Sequence, residues 1–326
     1  MSILNAAGVF TASSLIVAGI LSGSQQDSQE KNDAGPLPGR LIPASTTMVT
    51  AWDIPRDPLR DTLLEKTPRG REIRQGFRLF MRTPAEAPRF VFSGLSCGNC
   101  HLNGGQRDRA LPLVGVAGVF PEYNKREGRQ FSLEDRIIGC FMRSENGTGT
   151  PAAEAALPDS SRYPVPRSAE VAALAAYIRW ISEEIRTEEK IPWRGHNVIH
   201  PDSLIPVERL DRERGKSLFM ENCRSCHGED GQGVQIGDKK AGPLWGEASW
   251  NDGAGAARIY TLAGFIRYAM PYLNPGSLTD EEAQQIAAYI NSMPRPAYPL
   301  KDADYRASGI PPDAVYYKTR AGGNHR

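Results

Sequence analysis

Apolar residues recur at helical spacing along four stretches of the chain, Arg69–Arg82, Ser168–Glu184, Val207–Asn222 and Thr279–Met293. A spacing of three and four residues gathers such side chains on one face, so each stretch is expected to form an amphipathic helix. Ser168 and Thr279 stand where N-caps belong, and Glu282 completes a capping box with Thr279. Pro294 and Pro296 then end the last helix. Thr83–Gly94 reads as a short extended segment. Thr187–Pro206 holds Pro192, Pro201 and Pro206 with little periodicity and reads as a linker. The tail from Ala297, rich in Pro, Tyr and Asp, is expected to lie across the surface.

These elements recur. Gly76-Phe-Arg-Leu-Phe-Met81 returns as Gly215-Lys-Ser-Leu-Phe-Met220, Cys97-Gly-Asn-Cys-His101 as Cys223-Arg-Ser-Cys-His227, and Ala175-Ala-Tyr-Ile178 as Ala287-Ala-Tyr-Ile290. The order is kept while the offsets drift from 139 to 126 to 112 residues, which marks a tandem duplication with unequal loops. The expected fold is mainly α, with repeats at 61–186 and 207–296 joined by the Pro-rich linker 187–206. A segment 25–60 precedes them and a tail 297–326 follows.

Apolar residues make up 40% of the 326, enough for two small cores. A formal charge of +1 gives bulk attraction to nucleic acid or acidic membranes no support, so any anion site must be local. Ile3–Leu21 is mostly apolar and Asp27 is the first charged side chain, which makes 1–24 an export signal or an anchor. The expected location is therefore the periplasm.

Four of the five cysteines fall into the two Cys-x-x-Cys-His runs, and Cys140 stands alone. That run is the pattern of covalent haem attachment. Cys97 and Cys100, and again Cys223 and Cys226, would form thioethers to haem vinyl groups, holding His101 and His227 under the two irons. One such run could be a redox pair or half a zinc site. Its repetition inside the same helical frame points to two covalently bound haem c groups.

Each iron can take a second ligand. Met270, 43 residues after His227, is the candidate in the second repeat, with Met293 as a rival. Cys140 holds the corresponding place, 39 residues after His101, with Met142 as its alternative, and an unpaired cysteine is also often a small buried hydrophobe. Around Cys140, Lys125, Arg126, Arg129, Arg136 and Arg143 alternate with Glu122, Glu127, Glu134, Asp135 and Glu145. They are either the paired charges of a solvated helix or, for two or three arginines, a site for an oxyanion.

Gly228-Glu-Asp-Gly-Gln-Gly233 and Gly242-Pro-Leu-Trp-Gly246 resemble class I cytochromes c. That resemblance implies that the Pro243 carbonyl accepts a hydrogen bond from the proximal imidazole of His227. Tyr123-Asn-Lys-Arg126, Arg136-Ile-Ile-Gly-Cys-Phe-Met-Arg-Ser144 and Asn146-Gly147 resemble the dihaem thiosulfate dehydrogenases, over about Thr67 to Pro296. The resemblance implies two tandem class I cytochrome c-like domains, each with one haem, the first with His101 and Cys140 on iron. It assigns Arg126, Arg136 and Ser144 to the substrate and leaves Met270 to the second haem, since no lysine stands there. Two thiosulfates would be coupled into tetrathionate at Cys140, through a cysteinyl-thiosulfonate, with electrons passing to an external acceptor such as a small redox protein.

The alternatives are a tetrathionate reductase, which the same residues would serve, and a non-catalytic dihaem electron carrier, in which Cys140 is structural. A dihaem peroxidase finds no distal histidine at the aligned position. His196 and His200 read as surface residues of the linker, and Asn146-Gly-Thr148, though a glycosylation sequon, overlaps the site motif.

Overall fold

The computed structural model describes residues 53–148, 168–183, 191, 193–237 and 239–317, all within one compact unit. The apolar start Ile3–Leu21, most of the segment 25–60, and parts of the linker and tail lie outside the described residues.

Helix α1, Pro68–Met81, starts where its composition dictates: Thr67 Oγ1 accepts the Gly70 N–H at 2.9 Å, and Pro68 takes the first helical position. Thr83–Gly94 is not extended. Pro84 opens a one-turn helix α2, Thr83–Glu86, and turns follow. The first Cys-x-x-Cys occupies one turn, α3 (Cys97–Cys100), followed by a kinked turn α4 (Leu102–Gly105). A hairpin of β1 (Glu122–Asn124) and β2 (Arg129–Phe131), Tyr123 opposite Gln130, leads into α5 (Leu133–Arg143). Helix α6, Ala169–Ser182, closes the repeat.

In the second repeat Asp211, not the 3₁₀ turn at Val207–Arg209, caps α7 (Arg212–Asn222), accepting the Glu213 and Arg214 N–H groups at 2.9 and 3.1 Å. The second cysteine run follows on α8 (Arg224–His227), and β3 (Gln235–Ile236) pairs with β4 (Lys239–Lys240). Helices α9 (Ile259–Ala269) and α10 (Asp280–Ile290) complete the repeat, α10 with the expected Thr279–Glu282 capping box. Among the described residues no helix is long and apolar enough to cross a membrane.

Each repeat crosses its opening helix on its closing helix through the repeated glycine. A Cβ on Gly76 would stand 1.9 Å from the Ala173 carbonyl oxygen, and one on Gly215 would stand 2.1 Å from that of Gln285. Only glycine permits the contact. The repeated tyrosines fill the crossings: Tyr177 meets Phe77 and Phe80 at 5.3 and 5.5 Å, and Tyr289 meets Phe219 and Trp245 at 5.6 and 5.8 Å.

The repeats interpenetrate. Leu95 of the first is buried in the core formed by Phe219, Trp245, Ile286 and their neighbours in the second. The Gly94 N–H donates to the Ala248 carbonyl at 2.7 Å. Ile199 from the described part of the linker is 1% exposed and joins the same core. The tail does more than cover a surface, because Asp304 and Asp313 are almost wholly buried.

Candidate functional site

The first cysteine turn is clamped to the end of α1. Thr83 Oγ1 donates to the Leu79 carbonyl at 2.8 Å and accepts the Cys97 N–H at 3.2 Å. Ser96 Oγ accepts the Thr83 N–H at 3.0 Å, and Asn99 Oδ1 accepts the Ser96 N–H at 2.7 Å. His101 Nδ1 lies 2.6 Å from the Leu111 carbonyl oxygen, which puts the ring proton on Nδ1 and leaves the Nε2 lone pair available. Loss of hydration pushes the imidazole down to about 4, so it is neutral at physiological pH.

Burial moves the neighbouring thiols the other way, Cys97 well up and Cys100 up to about 12. Burial thus holds both thiols toward the protonated form. Among the described residues no three His, Cys, Asp or Glu side chains gather as a metal cage. His196 instead meets Asp108 at 3.1 Å, while His200 is exposed. Two protonated thiols on one turn beside a neutral imidazole with Nε2 available fit a haem held by thioethers and one histidine.

In the second repeat burial pushes the Cys223 thiol up to about 12 and the His227 imidazole down to about 4. His227 Nδ1 is buried without a hydrogen-bond partner, an orphan that a settled imidazole–carbonyl bond would satisfy. The Gly242 carbonyl, next to Pro243, acts on the ring and opposes the effect of its burial. Pro243 is itself buried, within 3.5 Å of where a Cβ on Gly94 would stand. Leu111, which His101 meets, stands before Pro112 as Gly242 stands before Pro243. That x-Pro correspondence was present in the sequence and marks Leu111, which motif reading alone missed.

Cys140 is half-buried on α5, whose start is fixed by the Ser132 and Asp135 capping box. Its charge acts on both Cys97 and Cys100, which puts it within electrostatic reach of the first cysteine turn. Arg136, one turn earlier on the same helix, acts on His101 in the same way. Its exposed guanidinium has no hydrogen-bond or ion-pair partner among the described residues. Arg126, in the turn of the β1–β2 hairpin, donates from Nη1 to the Gly253 carbonyl at 2.5 Å, a neutral acceptor. Arg129 is paired with Glu127 and Asp135, and Arg143 with Asp304 and Glu127. The paired-charge reading thus holds for Arg129 and Arg143, while Arg126 and Arg136 keep uncompensated positive charge. Ser144 is half-buried just past α5, its N–H on the Cys140 carbonyl at 2.8 Å.

Glu145 is the residue that sequence reasoning placed wrongly, among solvated charges. It is 3% exposed, 3.1 Å from Ser93 Oγ, and burial holds its carboxyl protonated up to about 8. Asn146 is equally buried, which removes the sequon from consideration as a glycan acceptor. Met142 presents its carbonyl to Asn251 Nδ2 at 2.8 Å. Met270, half-buried at the end of α9, packs with Phe265 and Tyr272 against Leu102 and Ala110 of the first repeat. Met293 packs instead on the core of the second repeat. A cavity of about 530 Å³ between Trp180 and Ile54–Asp61 is lined by none of these residues.

A family model for cytochrome c oxidase, cbb3-type, subunit III matches residues 211–290, the span from α7 to α10. A thiosulfate dehydrogenase of Stutzerimonas stutzeri is 37% identical over 231 residues, 71% of this chain and 69% of its own. One of Allochromatium vinosum is 37% identical over 239 residues, 70% of this chain and 80% of its own. The solved thiosulfate dehydrogenase (TsdBA) of Marichromatium purpuratum, in its as-isolated form, superimposes with a TM-score of 0.63 at 34% identity. That match covers 71% of this chain and 47% of the solved one, so the chain spans about half the length of that structure.

Proposed function

The chain belongs to the thiosulfate dehydrogenase family, and on that footing we propose that it joins two thiosulfates into tetrathionate at Cys140. The observation that carries the reading is the pair of uncompensated arginines, Arg126 and Arg136, on the segments around Cys140. Two dianions at about 4 Å repel by about 4 kcal/mol even in water, and by more where water is thinned. Arg126 and Arg136 offset that repulsion, and Ser144 Oγ is available to a sulfonate oxygen.

Cys140 Sγ forms a sulfur–sulfur bond with the first thiosulfate, and two electrons leave. The second thiosulfate displaces the cysteine thiolate, so tetrathionate forms with no net proton released. Cys97, Cys100 and His101, and again Cys223, Cys226 and His227, would hold two covalent haem groups, which would supply one-electron acceptors between Cys140 and an external carrier. Cys140 would be the further residue holding the first group and Met270 the further residue holding the second. The two repeats then act as a catalytic and an electron-transfer domain. The apolar start of the chain supports a periplasmic reaction.

The test is thiosulfate-dependent reduction of an artificial acceptor by the haem-loaded protein, beside Cys140→Ala and Arg136→Ala. Tetrathionate formed by the parent and lost in Cys140→Ala supports the reading. Full turnover in Cys140→Ala would end it.

A further inference from the structure

Resting on the substrate role given to Arg126 above, we propose that residues 300–317 form a strap that sets the position of Arg126, with Asp304 as its positioning residue. Asp304 is 2% exposed and accepts Arg143 Nη1 and Nη2 at 2.7 Å each. Tyr317 OH donates to the same carboxylate at 2.6 Å, and the Arg143 guanidinium lies 4.0 Å above the Tyr298 ring. A bidentate pair of this kind fixes the guanidinium plane as well as its place.

Arg143 passes that order on. Its Nη1 donates to the Gly253 carbonyl at 3.1 Å, and that same oxygen receives Arg126 Nη1 at 2.5 Å. With Arg143 held by Asp304, one side of the Gly253 oxygen is taken and the direction left to Arg126 is defined. The strap also grips the backbone of the hairpin turn. The Tyr305 N–H donates to the Arg126 carbonyl at 2.6 Å, Ser308 Oγ donates to that of Lys125 at 2.9 Å, and the Arg126 guanidinium stands 5.5 Å from the Tyr305 ring centre.

Both ends of the strap are moored to the second repeat. Lys301 pairs with Asp252, whose Oδ1 accepts the Tyr298 N–H at 2.7 Å, and Asp313 holds Arg258 Nη2 at 2.6 Å. The charge of Asp304 is engaged by Arg143, so the strap orders Arg126 without neutralising it. An anion site needs both: a fixed donor geometry and a charge not already answered.

The experiment compares the haem-loaded parent with Asp304→Asn and Tyr317→Phe, reading thiosulfate KM and kcat, amide exchange at Tyr305, and haem absorbance. Tyr317→Phe removes one hydrogen bond without leaving a buried charge unpaired, so it keeps the test open if Asp304→Asn folds poorly. The expected result is a KM raised about tenfold in Asp304→Asn and about threefold in Tyr317→Phe, with kcat within about twofold of the parent. Tyr305 exchange quickens in the same order and haem absorbance is unchanged. Unchanged KM with Tyr305 still protected overturns the proposal, as does a drop in kcat that follows loss of haem. A parent with no turnover refutes the proposed function instead, and the exchange comparison alone then decides whether Asp304 orders the Arg126 turn.

Discussion

Gly215 lies so close beneath Gln285 that a Cβ on the glycine would stand 2.1 Å from the glutamine's carbonyl oxygen. The neighbour is backbone at the crossing of α7 and α10, so it cannot swing aside. Gly215→Ala is expected to cost about 3 kcal/mol, the scale of overpacking a tight contact. Denaturant unfolding followed by far-UV circular dichroism measures it. Gly255→Ala, where an added Cβ meets nothing within 4 Å, is the matched control and should leave the midpoint in place.

Glu145 gives the protein a pH dependence of definite sign. Its carboxyl, ordinarily near 4.5, is raised by burial to about 8, so between those values the folded chain holds a proton that the unfolded chain has released. That contribution is complete below 4.5 and is lost as pH rises through about 8. Glu145→Gln should flatten the fall in unfolding midpoint between about pH 5 and pH 9. An unaltered slope would show that the carboxyl is already ionised in the fold.

Asp313 caps α9 from a distance. Its carbonyl and Oδ2 accept the Ile259 and Tyr260 N–H groups at 3.1 and 3.0 Å, where Arg258 itself offers no side-chain cap. Asp313→Ala keeps the backbone acceptor for Ile259 but removes the side-chain cap on Tyr260 together with the Arg258 pair, and a loss of about 2 kcal/mol follows. Thermal unfolding of the two proteins side by side reports it.

Met270, proposed for the second haem, and its rival Met293 are separable. Met270→Ala should abolish the charge-transfer absorption of methionine-bound ferric haem and lower the potential of that centre, whereas Met293→Ala should spare both. The reverse pattern would move the ligand to α10's end.

Much of this was legible because local chemistry dictated it. Ser168 and Thr279 cap the helices they precede, as expected, and the repeat that contains Gly76 and Gly215 beside the same Leu-Phe-Met was plain, though the close crossings at those glycines came only with the fold. What escaped was set by partners distant along the chain. Glu145 looked like one more surface charge until the fold buried it against Ser93, 52 residues away. The tail looked like a covering until Asp304 met Arg143 across 161 residues. Thr83–Gly94 was misjudged for a local reason, since Pro84 serves as readily at a helix start as in an extended run.

Leu95 has a bearing on how this protein could be divided. It leaves the first repeat just ahead of Cys97 and is 5% exposed among the aromatic and aliphatic side chains of the second. A fragment beginning at residue 207 would therefore carry a hole the size of a leucine side chain, and one ending before it would present that leucine to water. The duplication supplied two copies of one motif, but the resulting halves are no longer interchangeable parts.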